Sequence, residues 1–180
     1  HAAWTNLLFN NYFFLGISLF AVFFVALQYV AEAGWATILK RVPEAIMTFL
    51  PFTSMIMLFI VVTAVLHFGG NHIYHWLEPG IMTEGSDNYD YIIAGKEPYL
   101  NATFFLIRSF LYVIIWIYCA RRLRQISLEG DLEGEIGEKS YWKGLRVSAW
   151  FIVLFAVTSS TAAWDWIMSI DTHWFSTLFG

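Results

Sequence analysis

"NYFFLGISLFAVFFVALQYVA", residues 11–31, contains no Asp, Glu, Lys or Arg. A helix needs about 20 mostly apolar residues to cross a bilayer core, because in hydrocarbon every backbone polar group must be satisfied without water. Residues 45–68, 100–120 and 146–164 meet the same requirement. The expected fold is therefore all-α: a polytopic transmembrane helix bundle, four spans forming a single transmembrane region over residues 1–180. Nothing resembles the alternating strands of a membrane β-barrel, and no internal repeat is evident.

Composition agrees. Of 180 residues, 58% are hydrophobic and only 13% charged, with a mean hydropathy of +0.58. A soluble domain of this size needs a charged surface, whereas here the charges gather in short stretches between apolar runs. The net charge of −4 averages segments of opposite character, so it indicates no nucleic-acid partner. The single cysteine, Cys119, excludes an all-cysteine iron–sulfur site and an internal disulfide. With no initiator methionine and no signal-peptide pattern, the chain is expected to be a fragment of a longer polytopic subunit.

Within the spans, Gly16, Ser18 and Ala21 are small enough to permit close helix approach. Pro51 falls in the first two turns of the second span, where it kinks the helix or marks its start.

The basic residues give the orientation. Lys40, Arg41, Arg121, Arg122, Arg124, Lys139, Lys143 and Arg146 fall after spans one and three, whereas the link between spans two and three holds only Lys96. The first group is expected on the cytoplasmic side, which puts links 69–99 and 165–180 in the periplasm. Two tryptophan belts fit: Trp4, Trp76, Trp164, Trp166 and Trp174 outside, Trp35, Trp142 and Trp150 inside. The cytoplasmic link, 121–145, has mixed charge and several glycines and reads as a solvated, mobile loop. The outer link mixes acids with Ile73, Tyr74, Trp76, Leu77, Tyr89, Tyr91 and Ile92, so it is expected to fold against something. Either a peripheral partner or the protein's own helix ends would serve.

Ionisable residues at membrane depth are the candidate site. Thr158, Thr161 and Asp165 fall at i, i+3 and i+7, with Thr172 returning to that face if the helix persists. A lone carboxylate in hydrocarbon costs several kcal/mol. Asp165 thus reads either as a capping or pairing residue or as a proton-relay carboxylate. Arg108 lies about two turns inside the outer end of span three, with Tyr112 one turn further; pairing with Asp165 or Asp171 would offset its cost. His67 ends span two, followed by His72 and His75. A b-type haem would need histidines facing each other from different spans, and only His67 lies in one. H-x-x-H alone is a weak zinc signal; interface hydrogen bonding or proton carriage suits these histidines better, and His173 with them. At the inner side Gln28, Tyr29 and Glu32 end span one, and Glu32 is a candidate for proton uptake or a simple solvated acid. No Walker loop, Rossmann glycine pattern, Ser-His-Asp spacing or CxxC is present, so no redox centre or cofactor site is assigned to this chain.

"TSSTAAWDWIMSIDTHWFSTLFG" (158–180), with "ISLFAVFFVALQYVAEAGW" (17–35), "NHIYHWLEP" (71–79) and "IIAGKEPYLNATFFLIRS" (92–109), resembles the ActF-type integral membrane subunits of bacterial alternative complex III, which are similar to the NrfD/PsrC-type subunits. The resemblance covers nearly the whole chain. Thr172 stands where the family pattern has proline, so the local turn is expected to differ. The resemblance implies a bacterial inner-membrane subunit of a respiratory quinol:electron-acceptor oxidoreductase. Quinol would be oxidised near the outer face, and electrons would pass through iron–sulfur clusters and c-type haems held by other subunits to cytochrome c, a high-potential iron–sulfur protein or a terminal oxidase. Implied partners are an ActC-like membrane subunit, a multihaem cytochrome c and iron–sulfur subunits, with lipid and a quinone around them. This chain would anchor the outer subunits. Its proton-pathway candidates are Glu32, His67, Arg108, Tyr112, Thr158, Thr161, Asp165, Asp171 and His173, and Asp165→Asn is expected to slow proton movement while leaving assembly intact. A stand-alone secondary transporter or a purely structural anchor are the competing classes; co-purification with multihaem cytochrome separates the transporter.

Overall fold

The computed structural model describes residues 2–132 and 138–179; their regular elements are helices, with no strand among them. The elements are α1 (Ala2–Val30), α2 (Ala36–Leu39), α3 (Arg41–Met47), α4 (Leu50–Val65), α5 (Tyr91–Ala94), α6 (Ala102–Leu132) and α7 (Glu138–Trp166), with short 3-10 turns at Phe68–Gly70, His75–Leu77 and Met168–Ile170. Among the described residues four stretches are long and apolar enough to cross a membrane: Ala2–Val30, Arg41–Val65, Ala102–Leu132 and Lys139–Ile170. Phe13, Phe20, Phe52, Phe59, Ile114 and Val157 on these helices stay exposed, an apolar surface suited to lipid.

The helices outrun the apolar segments that mark them. Hydropathy locates the part of a helix inside hydrocarbon, whereas Arg, Leu, Gln and Glu in "RRLRQISLEGDL" (121–132) are helix formers that continue it into water. The link read as a loop is therefore helical through Leu132 and again from Glu138; its residues 133–137 lie outside the described residues. In the second span the helix breaks at Thr48–Phe49, whose N–H groups bond three residues back to Ala45 and Ile46, and resumes at Leu50. Pro51 thus sits in the first turn of α4, where its missing N–H costs nothing.

The chain forms two compact units. One comprises the chain to Asn11, Met55–Tyr112 and the chain from Thr158. Its core is aromatic: Tyr74 and Trp76 both meet the Phe105 ring edge-on, at centroid distances of 5.2 and 5.4 Å, and Trp166, Ile81 and Ile93 are buried with them. The outer link therefore packs onto its own helix ends. Trp76 and Trp166, expected in an interface belt, are core residues instead. Asn71, fully buried, fixes the start of the link by donating to the Ile60 carbonyl (3.1 Å) and Thr63 Oγ1 (3.0 Å) on α4.

The other unit comprises Tyr12–Ser54 and Val113–Val157. Ser18 and Ala21 are buried in it as expected, but Gly16 is exposed, with nothing within 4 Å of where its Cβ would lie. The close approach is made by Gly144 on α7, where a Cβ would come within 2.6 Å of the Tyr29 ring. Gly144→Val should therefore destabilise the protein by about 1–3 kcal/mol, and Gly16→Ala should be neutral or slightly stabilising. Thermal unfolding in detergent reads both; equal effects would contradict the packing.

Candidate functional site

Arg108 and Tyr112 are four residues apart on α6 and so share a face, and Asp165 lies in the last turn of α7. Asp165 is 0% exposed and Arg108 7%. The guanidinium meets the carboxylate as a fork: Nε donates to Oδ2 at 2.7 Å and Nη2 to Oδ1 at 2.8 Å. Tyr112 Oη donates to the same Oδ2 at 2.8 Å. The remaining guanidinium nitrogen, Nη1, donates to the Tyr99 carbonyl at 3.2 Å. The cation also lies 4.0 and 4.1 Å from the Tyr99 and Phe104 ring centroids, a cation–π arrangement that favours arginine over lysine.

A second layer holds the first. Trp166 Nε1 donates to Ser109 Oγ at 2.9 Å, Tyr74 Oη to the Trp166 carbonyl at 3.0 Å, and Ser169 Oγ to the Asp165 carbonyl. Burial, and next the Asp165 charge, push the Tyr74 and Tyr99 hydroxyls well above the usual phenol range, so both remain neutral. Thr158 and Thr161 lie on the α7 turns before Asp165, and Thr161 Oγ1 bonds back to the Thr158 carbonyl at 3.2 Å. Thr172 does not return to that face: α7 ends at Trp166 and a 3-10 turn follows.

Of the two acids offered as partners for Arg108, the structure selects Asp165. Asp171 is exposed, and its Oδ1 accepts the His173 N–H at 3.2 Å. His173 Nε2 lies 2.8 Å from Asp90 Oδ2, an ion pair when the imidazole is protonated. Asp90 caps α5 as well, accepting from the N–H groups of Ile92 (2.8 Å) and Ile93 (3.2 Å), while Lys96 Nζ donates to the Thr172 carbonyl. These bonds clasp the segment after α7 onto the outer link.

His67 and Glu32 share an unexpected feature. Each follows a helix with a left-handed backbone, φ +51°, a position where glycine is cheaper. After α1 the Ala33 N–H reaches back to the Gln28 carbonyl at 3.1 Å, so Glu32 forms part of a helix cap. The His67 ring lies 5.5 Å from the His72 ring. Among the described residues no group of three or more His, Cys, Asp or Glu could hold a metal ion.

The carboxylate that sequence reading missed is Glu44. It is 4% exposed, and its Oε2 accepts from Arg41 Nη1 at 2.6 Å; Arg41 also pairs with Asp131, and Lys40 Nζ lies 3.7 Å from Glu44 Oε1. The signal was present, since Lys40 and Arg41 precede Glu44 by four and three residues, the helical pairing distance.

No family model matches the chain, and no curated protein is significantly similar to it. The fold and site define a class: a multi-pass helical membrane protein with an ion pair buried between two of its spans.

Both oxygens of Asp165 are occupied by donors. A buried pair broken on one side leaves an uncompensated charge, so Asp165→Asn should destabilise the fold in addition to any effect on proton movement. Tyr112→Phe, which removes one of three donors, should cost about 1–2 kcal/mol. Arg108→Lys, which loses both the fork and the ring contacts, should cost about 3 kcal/mol. Unfolding in mixed micelles ranks them; a lysine as good as arginine would contradict the geometry.

At the clasp, dehydration alone would raise the Asp90 carboxyl, but the Ile93 and Ile92 N–H groups, then His173, outweigh it and hold it below the usual carboxylate range. Its stabilisation is therefore complete above the unfolded value of about 3.9 and lost as pH falls through the lower folded value. Hydrogen exchange at residues 172–174 should accelerate on that acid side, and Asp90→Asn should abolish the step; an unchanged acid step in the variant would contradict it.

Proposed function

We propose that the chain is an ActF-like membrane subunit of a respiratory quinol:electron-acceptor oxidoreductase of the alternative complex III type, anchoring periplasmic electron-transfer subunits in the bacterial inner membrane. The observation that carries this reading is the clasp. Asp90–His173 and Lys96–Thr172 hold two segments together, and beside these bonds Tyr91 (81% exposed), Ile92, Trp174 and Phe175 (76% exposed) project unburied. Large apolar and aromatic side chains on a backbone fixed by hydrogen bonds suit a docking surface, because little ordering entropy is lost when a partner covers them. The c-type haems, iron–sulfur clusters and quinone of such a complex would be held by the partner subunits.

Within this reading the Arg108–Asp165–Tyr112 cluster supports anchoring more than proton conduction. Three donors take up most of the acceptor capacity of the Asp165 carboxylate, and protonating it would remove the charge that holds the pair tying α6 to α7.

Affinity purification from native membranes tests the proposal. The protein should carry c-type haem absorbance and iron–sulfur subunits with it. Tyr91→Asp combined with Phe175→Asp should lower the haem recovered by about tenfold or more, as loss of interface anchors does, while the amount of chain in the membrane stays the same. Haem-free wild-type protein would contradict the reading and favour a stand-alone transporter.

A further inference from the structure

Two cavities in the unit formed by Tyr12–Ser54 and Val113–Val157 differ in charge. The larger, about 390 Å³, is lined by Lys40 and Arg41 but also by Glu32 and Asp131, and its cations are engaged by Glu44 and Asp131. It has no cationic surplus. The smaller, about 230 Å³, lies at the break between α3 and α4 and is lined by Met47, Thr48, Pro51, Ile117, Ala120, Arg121 and Arg124, with no acid in its wall among the described residues. Arg121 and Arg124 are one turn apart on α6 and so face the same way. Both are exposed.

The position of this cavity along α6 decides what could fill it. The residues preceding the arginines, "LYVIIWIYCA" (111–120), carry no charge and are mostly apolar, and "RRLR" follows at once. The arginines therefore stand where hydrocarbon gives way to headgroups, with Ile117 and Ala120 forming the apolar floor below them. An occupant would have an anionic head at the level of the guanidinium groups and an apolar body along Ile117. Arginine forks bind phosphate oxygens two at a time, and basic pockets at span ends select anionic lipid headgroups.

We propose that the cavity at the α3–α4 break, bounded by Arg121 and Arg124, holds the phosphodiester headgroup of an anionic phospholipid. Thr48, at the break, and Pro51, in the first turn of α4, form the wall opposite Ile117 and the arginines. The inference is independent of the respiratory reading, because it rests on a different unit of the chain.

Native mass spectrometry of the purified protein, in its complex if it has one, tests the assignment with three probes: phosphatidylglycerol, phosphatidylcholine and inorganic phosphate. Phosphatidylglycerol should be retained in preference to phosphatidylcholine, and millimolar inorganic phosphate should not displace it. Arg121→Gln with Arg124→Gln should weaken its retention by about 30-fold, the worth of two basic contacts at a membrane surface. Lysine at both positions should preserve much of the retention, and Arg146→Gln should leave it unchanged. Ala120→Leu, which fills the cavity and keeps both charges, should weaken retention as well. If the glutamine variants fail to fold, Ala120→Leu and the wild-type thermal shift in phosphatidylglycerol against phosphatidylcholine still decide. Equal retention of the two lipids, displacement by free phosphate, or retention unaffected by the double or cavity-filling substitution would overturn the proposal.

Discussion

The arrangement at the ends of α6 and α7 depends on how the protein keeps an arginine and an aspartate out of water. Arg108 placed alone in the membrane costs about 2.5–3.5 kcal/mol at mid-depth, and an unpaired carboxylate costs a similar amount. Together, as a fork with bonds of 2.7 and 2.8 Å, they form a neutral unit whose remaining polar atoms reach Tyr112 and the Tyr99 carbonyl. The fork joins one turn of α6 to one turn of α7 and so fixes their register at this end. Apolar side chains cannot set register this sharply, because lipid solvates them as well as a neighbouring helix does.

From that contact the local structure spreads outward by hydrogen bonds and rings. Trp166 follows Asp165 and bonds Ser109, which follows Arg108; two adjacent residues on one helix thus grip two on the other. Tyr74 bonds the Trp166 carbonyl and packs on Phe105 with Trp76, drawing the outer link onto the helix ends. The link in turn holds the segment after α7 through Asp90 and Lys96. The surface proposed to receive partner subunits is thereby fixed, through a few named bonds, to the buried pair.

The spans were legible because a membrane imposes one rule on twenty residues at a time: residues 11–31, 45–68, 100–120 and 146–164 all fall on helices for most of their length. The helix ends were not, since the run from Arg121 to Leu132 keeps its helix on propensity after hydropathy has stopped reporting. In the site, helical spacing joined Arg108 to Tyr112 and Thr161 to Asp165, and the cost of an unpaired charge pointed to an acid partner for Arg108. Spacing could not choose between Asp165 and Asp171, because the helix ends between them. The burial of Trp76, Trp166 and Glu44 was hidden for a related reason: tryptophan and charge near a span end read as interface residues unless tertiary contacts are known. Gly16 and Gly144 show the same limit, identical in type and opposite in environment.

A double-mutant cycle on positions 108 and 165 bears most directly on this account. Arg108→Met and Asp165→Leu should each lower the free energy of unfolding in lipid-containing micelles by about 3–5 kcal/mol, because each strands the other's charge. The double variant should recover most of that loss, giving a coupling energy of about 2–3 kcal/mol. Additive losses, with no coupling beyond error, would mean that the two side chains do not depend on each other and that something else holds α6 to α7.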